Sequence, residues 1–366
     1  MTVPLFSSKN PRLGVDISST AVKVLMLEKH KNSYRPTAFA IEPLTPGAVQ
    51  DKTITDPDTV AGALSRALSR SRAKTKHIVM AVPASASVSR ILTISNPGNE
   101  FELEEQVRME SDQYIPFPMD EVSLDFEPES PEALIKAAKK KGAEVEGSLR
   151  VIMAATRASN VESRVAVAEG AGLTVDVMDV ESFAIQNAFT EIIAPTLSAE
   201  DRAQPVALLD VGANVTTINV FSGNKILYSK EHAFGGKQLT NEISAYYGIS
   251  PEEAEEKKRN DTLPDDYHRK VLQPFIDNMA MQIERFIQFY HSEHSGSSIG
   301  LILLGGGTAN TPGVIERINN ETGIRTRTAN PFVAIGQGSR ISAELLANHG
   351  ASMLIACGLA LRSFDQ

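Results

Sequence analysis

The feature that most constrains the fold is a short pattern that occurs twice, once near the start of the chain and once in its second half. LGVDISSTAVKVL occupies residues 13–25, and LLDVGANVTTINVF occupies residues 208–221. In each copy an apolar run contains an aspartate and leads through a turn of small residues into a second apolar run, which is typical of a β-hairpin. Two such hairpins at the starts of two halves predict a duplicated α/β fold whose equivalent turns face each other.

Each copy contains an aspartate, Asp16 or Asp210. If this residue is buried it needs a partner, because burying an unpaired carboxylate costs free energy. The N–H groups of a turn of small residues can bind an anion, and Ser or Thr hydroxyls add donors for phosphate oxygens. The two aspartates would then face a magnesium ion through water, since Mg2+ usually keeps several of its waters. An ordinary hairpin turn without a ligand remains the alternative for either copy taken alone.

Composition narrows the class of protein. The 366 residues allow two or three domains, and the net charge of -9 argues against a sequence-independent nucleic-acid partner. The single cysteine, Cys357, lies in an apolar run, so we expect a core residue in a reducing compartment. No segment reaches the roughly 18 apolar residues of a membrane span, and the first residues lack the apolar stretch of a secretory signal. We therefore expect the chain in the cytoplasm.

Apolar periodicity divides the chain into two lobes with insertions. Predicted strands lie at 77–82, 174–178, 206–210, 216–221, 225–230 and 301–304, and predicted helices at 58–72, 182–193, 312–319 and 351–362, with an interrupted helical stretch at 237–294. Strands at 89–95, 121–127 and 149–155 around a helix at 100–113 predict a small inserted α+β subdomain. The predicted order is first lobe 1–86, inserted subdomain 87–155, first lobe again 156–204, second lobe 205–235, helical subdomain 236–298, second lobe again 299–340, and a closing helix 341–366 that returns to the first lobe. The role of the lysine-rich stretch 136–147 stays open.

Five segments resemble, in order, the nucleotide-site motifs of the actin-like ATPase superfamily of actin, heat-shock chaperones and sugar kinases. They are DISSTAVK, DVESFAIQNA, LDVGANVTTI, LLGGGTANTPGV and ASMLIACGLAL. The resemblance implies a duplicated, ribonuclease H-like fold of two lobes around ATP (or ADP) and Mg2+. Asp16 and Asp210 would hold the metal through water, and Glu181 would orient the attacking water. The other residues that the resemblance places at the nucleotide are Ser18, Ser19, Thr20, Lys23, Gly212, Asn214, Thr216, Gly236, Lys237, Glu255, Lys258, Gly305, Gly306, Gly307 and Thr308.

Some of these residues have a simpler interpretation. Glu181 could be an ordinary acid in the first turn of a helix, which the helix dipole favours, and Glu255 with Lys258 could be a solvated helix face. Two departures also matter: Ile17 and Ser18 replace a glycine common in the first phosphate turn, and Ala213 stands where actin has an acid. Phosphoryl transfer depends on positioning water and neutralising charge, so a weak ATPase and a protein without turnover both stay open.

A narrower resemblance lies in MESDQYIPFPMDEVSLDF, residues 109–126. This stretch is similar to the signature of the PilM family, cytoplasmic actin-like proteins of type IV pilus assembly and twitching motility that are related to the division protein FtsA. The resemblance implies a partner, the cytoplasmic N-terminal peptide of PilN, and attachment to the inner-membrane pilus complex only through partner proteins. Two prolines fix an extended backbone here, which predicts that Tyr114, Ile115 and Phe117 are presented for recognition. The alternative is that they close the subdomain's own core.

Two other functions remain open on the same fold. A small-molecule kinase would need a general base in a substrate cleft, and His291 with His294 is a poor candidate because no third partner accompanies the pair. An actin-like filament former rests on fold analogy alone. Whether copies of the chain associate is also open.

Overall fold

The structure is a computed structural model and describes residues 11–31, 33–95, 99–129, 148–294, 296–333 and 341–365. The strands are β1 (Leu13–Ile17), β2 (Ala21–His30), β3 (Ser33–Pro43), β4 (Val49–Gln50), β5 (Thr53–Ile54), β6 (His77–Val82), β7 (Ser87–Ser95), β8 (Val122–Pro128), β9 (Ser148–Arg157), β10 (Thr174–Val180), β11 (Val206–Val211), β12 (Thr216–Ser222), β13 (Lys225–His232), β14 (Leu301–Gly305) and β15 (Thr326–Thr328). The helices are α1 (Pro57–Ser71), α2 (Glu100–Asp112), α3 (Ala158–Gly170), α4 (Glu181–Ala188), α5 (Ala199–Arg202), α6 (Gly236–Tyr247), α7 (Pro251–Arg259), α8 (Gln273–Glu293), α9 (Val314–Thr322), α10 (Ala343–His349) and α11 (Leu354–Leu361).

Two five-stranded sheets have the same strand order. The first runs β3-β2-β1-β6-β10 and the second runs β13-β12-β11-β14-β15. In each sheet the first three strands of the lobe pair antiparallel, and the last two join the central strand parallel. The predicted duplicated α/β fold is therefore confirmed, and each lobe opens with one of the two aspartate-bearing hairpins.

The first sheet is covered by helices on both faces. Helix α1 starts at Pro57, after Asp56 accepts a hydrogen bond from the Thr59 N–H, which is a standard N-terminal cap. Its apolar residues join the buried cluster of β1, β2, β6 and α3. On the opposite face α11 packs so closely that a Cβ on Gly14 would overlap the Ala356 carbonyl oxygen. Cys357 in α11 is fully buried, as the sequence predicts.

The inserted subdomain is a three-stranded antiparallel sheet, in the order β7-β9-β8, with α2 on one face. Leu103 and Val107 of α2 are fully buried against Leu92, Val151 and Met153 of the sheet. The predicted α+β unit is confirmed; β7 and β9 are two and three residues longer than predicted, and β8 has the predicted length but is shifted by one residue. The lysine-rich stretch 136–147 lies outside the described residues.

Several elements differ from the sequence prediction. Strands β3 and β15 and helix α3 were not predicted, and Pro312 precedes α9, whose N-terminal cap is Gly313. The stretch Ala343–Phe364, in the part of the chain that the structure describes, is long and apolar enough to cross a membrane, so the expectation that none would be is wrong by those criteria. However, 61% of its most apolar window is buried inside the protein, and a buried core helix passes the same test.

Candidate functional site

The first hairpin places Asp16 and Lys23 side by side. They occupy paired positions on β1 and β2, and the Lys23 Nζ lies 3.1 Å from Asp16 Oδ2. The intervening turn is closed by Ser18, whose hydroxyl donates to the Ala21 carbonyl and accepts from the Ala21 N–H. The Ser18 side chain therefore stabilises its own turn, while Ser19 is half-buried and Thr20 is exposed beside it.

The second hairpin carries the equivalent turn of the other lobe, residues 212–215. Its Gly212 N–H donates to the Val215 carbonyl, and the start of α6 is tied to it because the N–H groups of Gly236 and Lys237 donate to the carbonyls of Gly212 and Ala213. These two N–H groups are thus occupied within the protein. The Thr216 hydroxyl is also engaged, donating to the Phe234 carbonyl at 2.8 Å, and Asn214 is half-buried in the turn.

The charged groups of the two hairpins shift each other's pKa. Burial would lower the pKa of Lys23, but the carboxylates of Asp16 and Asp210 outweigh it and raise that pKa. Burial raises the pKa of Asp210, and the Asp16 carboxylate adds to this while Lys23 opposes it. Asp210 belongs to β11, whereas Asp16 and Lys23 belong to β1 and β2, so these interactions link the two hairpins.

The glycines at the end of β14 let the backbone approach the end of β11, just before the turn 212–215. Gly306 has φ +86, and a Cβ there would lie 2.6 Å from Val211 C, closer than a side chain can approach. Gly305 packs against Leu354, and Gly307 is exposed with open space around it. Thr308 is buried, and its hydroxyl would be 3.1 Å from a Cβ on Gly236. The end of β14 is therefore built from small residues, and neighbouring atoms pack closely against Gly305 and Gly306.

Glu181 stands where the sequence predicts, between the end of β10 and the start of α4, and it is 7% exposed. Its Oε2 lies 2.8 Å from the Nζ of Lys52, which also lies 2.9 Å from Glu231 Oε1. Burial raises the pKa of Glu181, and Lys52 partly offsets this. Burial would lower the pKa of Lys52, but the two carboxylates outweigh it and raise that pKa. Neither Lys52 nor Glu231 is predicted from the sequence.

Glu255 and Lys258 form a network with α6 rather than a bare solvated face. The Lys258 Nζ lies 2.5 Å from Glu255 Oε2 and 2.7 Å from the Thr240 hydroxyl, which itself donates to Glu255. His294 stacks on the Tyr290 ring, and the His291 Nε2 accepts from the Ile299 N–H. Both histidines thus have packing or hydrogen-bonding roles on α8 or just beyond it.

The three residues proposed for partner recognition fall into different environments. Ile115 is 7% exposed and belongs to the subdomain core, so the prediction that it is presented on the surface is wrong. Its burial follows from packing against the sheet, which the local sequence does not reveal. Tyr114 is 42% exposed, near the Arg90 guanidinium, and the half-buried Phe117 ring lies 4.0 Å from the Arg157 guanidinium carbon.

The side chains present fit a water-mediated magnesium ion. In the parts of the chain that the structure describes, no three His, Cys, Asp or Glu side chains are grouped to hold a metal ion by themselves. Mg2+ is usually bound by one or two carboxylates together with waters and phosphate oxygens. Asp16 and Asp210, on opposite sides of the cleft, supply that number of carboxylates.

Two sheets of identical strand order, each with an aspartate-bearing hairpin turned toward a shared cleft, define the actin-like fold. The solved structure of the ethanolamine utilization protein EutJ from Carboxydothermus hydrogenoformans has a similar fold, with a TM-score of 0.56 and 16% identity. The similarity covers 96% of this chain and 91% of that chain.

The chain belongs to the family of the type IV pilus assembly protein PilM, whose model matches residues 14–364. A solved structure, the PilM-PilN type IV pilus biogenesis complex, is similar over 98% of this chain and 100% of that chain, with a TM-score of 0.78 and 26% identity. The cell division protein FtsA of Bacillus subtilis (strain 168) is 26% identical over 271 residues. This match covers 66% of the chain and 59% of FtsA, so the chain spans less than two thirds of that relative.

Proposed function

We propose that this type IV pilus assembly protein binds ATP (or ADP) with Mg2+ between its lobes and holds the N-terminal tail of PilN at the cytoplasmic side of the inner membrane. The observation that carries the nucleotide proposal is that Asp16, with the Lys23 ammonium 3.1 Å away, and Asp210 lie on the equivalent hairpins of the two lobes, where the Asp210 carboxylate raises the pKa of Lys23. A phosphate chain would bring negative charge beside Lys23, and Mg2+ would supply positive charge between the two carboxylates. Asp16 and Asp210 would hold this ion, which would screen the phosphate charge from both carboxylates.

The small residues of the cleft support a phosphate-bearing ligand, because short side chains let backbone groups come close to it. The turns 18–20 and 212–215 and the glycines 305–307 bring backbone close to the space between the lobes. Glu181, held by Lys52, is the residue that would orient a water beside the phosphates. The family finding favours an assembly role over a small-molecule kinase.

Thermal unfolding with and without Mg-ATP tests the nucleotide site. A ligand at 100 times its Kd adds about 2.7 kcal/mol to the free energy of unfolding, so we expect a higher Tm for the wild-type protein. Asp16→Ala and Asp210→Ala should each abolish the increase, whereas Asp58→Ala, at an exposed acid of α1, should keep it. An unchanged wild-type Tm at saturating Mg-ATP would remove the basis of this proposal.

The partner proposal draws on the PilM-PilN structure and on the surface near Tyr114 and Phe117. Both rings lie beside arginines on the inserted subdomain, where an extended peptide could pack against them. Titration of a fluorescent peptide with the N-terminal sequence of PilN should give weaker binding for Tyr114→Ala and Phe117→Ala. Tyr246→Ala, at a tyrosine of α6 that is 50% exposed, is the matched control. Equal affinities for all three variants would contradict the proposal that the peptide binds at this surface.

A further inference from the structure

Lys52 is aimed into the cleft by an unusual turn. It lies between β4 and β5, and both Asp51 and Lys52 adopt left-handed backbone conformations, with φ values of 46 and 64. Few residues other than glycine take this conformation, and it persists where the surrounding structure holds it in place. Here the Lys52 carbonyl accepts a hydrogen bond from Arg164 Nη2 at 3.1 Å, and Arg164 is 2% exposed. The turn is thus anchored on α3.

The ammonium group of Lys52 joins parts of the chain that belong to different lobes. Glu181 follows the last strand of the first sheet, whereas Glu231 lies on β13 of the second sheet. The contacts are 2.8 and 2.9 Å long, and the side chains of Lys52, Glu181 and Glu231 are 22%, 9% and 19% exposed. Because these charges are largely buried, salt screens them much less than it screens ion pairs on the surface.

We propose that Lys52 is a positioning residue that clamps the two lobes together through Glu231 and so retains the nucleotide in the cleft. This inference rests on the proposed function. Glu181 is the fixed point of the clamp in the first lobe, and Glu231 is the point that separates when the lobes open. Removing one member of a sheltered, hydrogen-bonded charge pair acts mainly on dissociation rates. Loss of the clamp should therefore appear as faster nucleotide release and a wider cleft.

Two substitutions test different parts of the clamp. Glu231→Gln removes the negative charge of the inter-lobe pair with little change of shape and leaves the Lys52–Glu181 pair in place. Lys52→Met removes both arms, and Lys52→Arg restores the positive charge. Lys257→Met is the control, because Lys257 pairs at 3.7 Å with Glu253 on its own helix. Far-ultraviolet circular dichroism checks that each variant is folded.

The first readout is the distance between the lobes without nucleotide, measured by pulsed electron paramagnetic resonance. Spin labels at Ser69→Cys in α1 and Glu252→Cys in α7 report on one lobe each, since both positions are exposed. The native Cys357 is fully buried, and burial raises the pKa of its thiol to about 12, so it should not react with the label. We expect longer or broader distances in Glu231→Gln and Lys52→Met, and wild-type distances in Lys52→Arg and Lys257→Met.

The second readout is the rate at which a fluorescent ATP analogue is released. We expect about tenfold faster release from Glu231→Gln and Lys52→Met, and no larger effect when the two are combined, because one interaction can be lost only once. Unchanged distances and release rates in both single variants, or additive effects in the double variant, would overturn the clamp. If the wild-type protein does not bind the analogue, the proposed function fails. The distance measurement, which is made without nucleotide, still tests separately whether Lys52 holds the two lobes together.

Discussion

The adjacent glycines Gly306 and Gly307 offer a direct test of how the backbone packs beside the turn 212–215. Gly306 has φ +86, its N–H donates to the Ala351 carbonyl at 2.8 Å, and a Cβ there would lie 2.6 Å from Val211 C and 2.7 Å from Val211 N. Those neighbours are backbone atoms of β11 and cannot swing away. Gly307 has no heavy atom within 4 Å of its Cβ position and is exposed. The same substitution should therefore have very different effects at the two positions.

The magnitude follows from two costs at Gly306. Placing a residue with a Cβ in the left-handed region costs about 1–2 kcal/mol. Forcing an extra atom into a packed site typically costs about 1–3 kcal/mol more. Gly306→Ala should therefore lower the free energy of unfolding by about 2–5 kcal/mol, whereas Gly307→Ala, like most surface changes, should stay within about 0.5 kcal/mol.

Urea unfolding of the two variants measures this difference. Because Val211 leads into the turn 212–215, its displacement in Gly306→Ala should also reduce the Tm increase caused by Mg-ATP. Equal urea midpoints for the two variants would refute the argument from backbone conformation and overlap. A loss of the nucleotide effect in Gly307→Ala alone would place the ligand nearer to Gly307 than to the turn.

Two further predictions concern the first lobe. A Cβ on Gly62, inside α1, would make an ordinary 3.5 Å contact with Arg66, so Gly62→Ala should raise the free energy of unfolding by about 0.5–1 kcal/mol in urea titrations. Gly172→Ala, in open space but at φ +73, should lower it, and stabilisation there would contradict the reasoning. Burial would raise the pKa of Glu42, but Arg66 and Arg70 outweigh it and lower that pKa below its ordinary value. A lowered folded-state pKa stabilises above the ordinary pKa, and this stability is lost as pH falls through the folded value, so Glu42→Gln should lose stability near pH 7 and match the wild type in strong acid.

The duplicated fold could be predicted because its signal is local and repeated. Each hairpin has two apolar strands, a turn of small residues and one aspartate, and these features depend only on neighbours in sequence. Helix α3 was missed because its interior includes the buried Arg164, which donates to the Ala81 and Lys52 carbonyls and interrupts the apolar period. A buried arginine looks like a surface residue until its partners are known.

The site was only partly predictable for a related reason. Asp16, Lys23 and Asp210 carry the motif, whereas Lys52 reaches partners 129 and 179 positions away from a turn between two-residue strands. Strands this short leave no periodicity in the sequence. Ile115 was misplaced because its burial depends on the sheet across from α2, so its neighbours in sequence could not reveal it.

The close packing of α11 on the first sheet constrains the order in which the chain can mature during synthesis. Ala356, Cys357 and Ala360 complete an apolar cluster with Leu25 and Phe39, which are made more than 300 residues earlier. Until the ribosome has released residues 354–361, this cluster lacks the helix that completes it. The core of the lobe that is translated first is consequently completed only by a helix made more than 300 residues later, and a stalled nascent chain would expose an apolar surface for chaperones to shield.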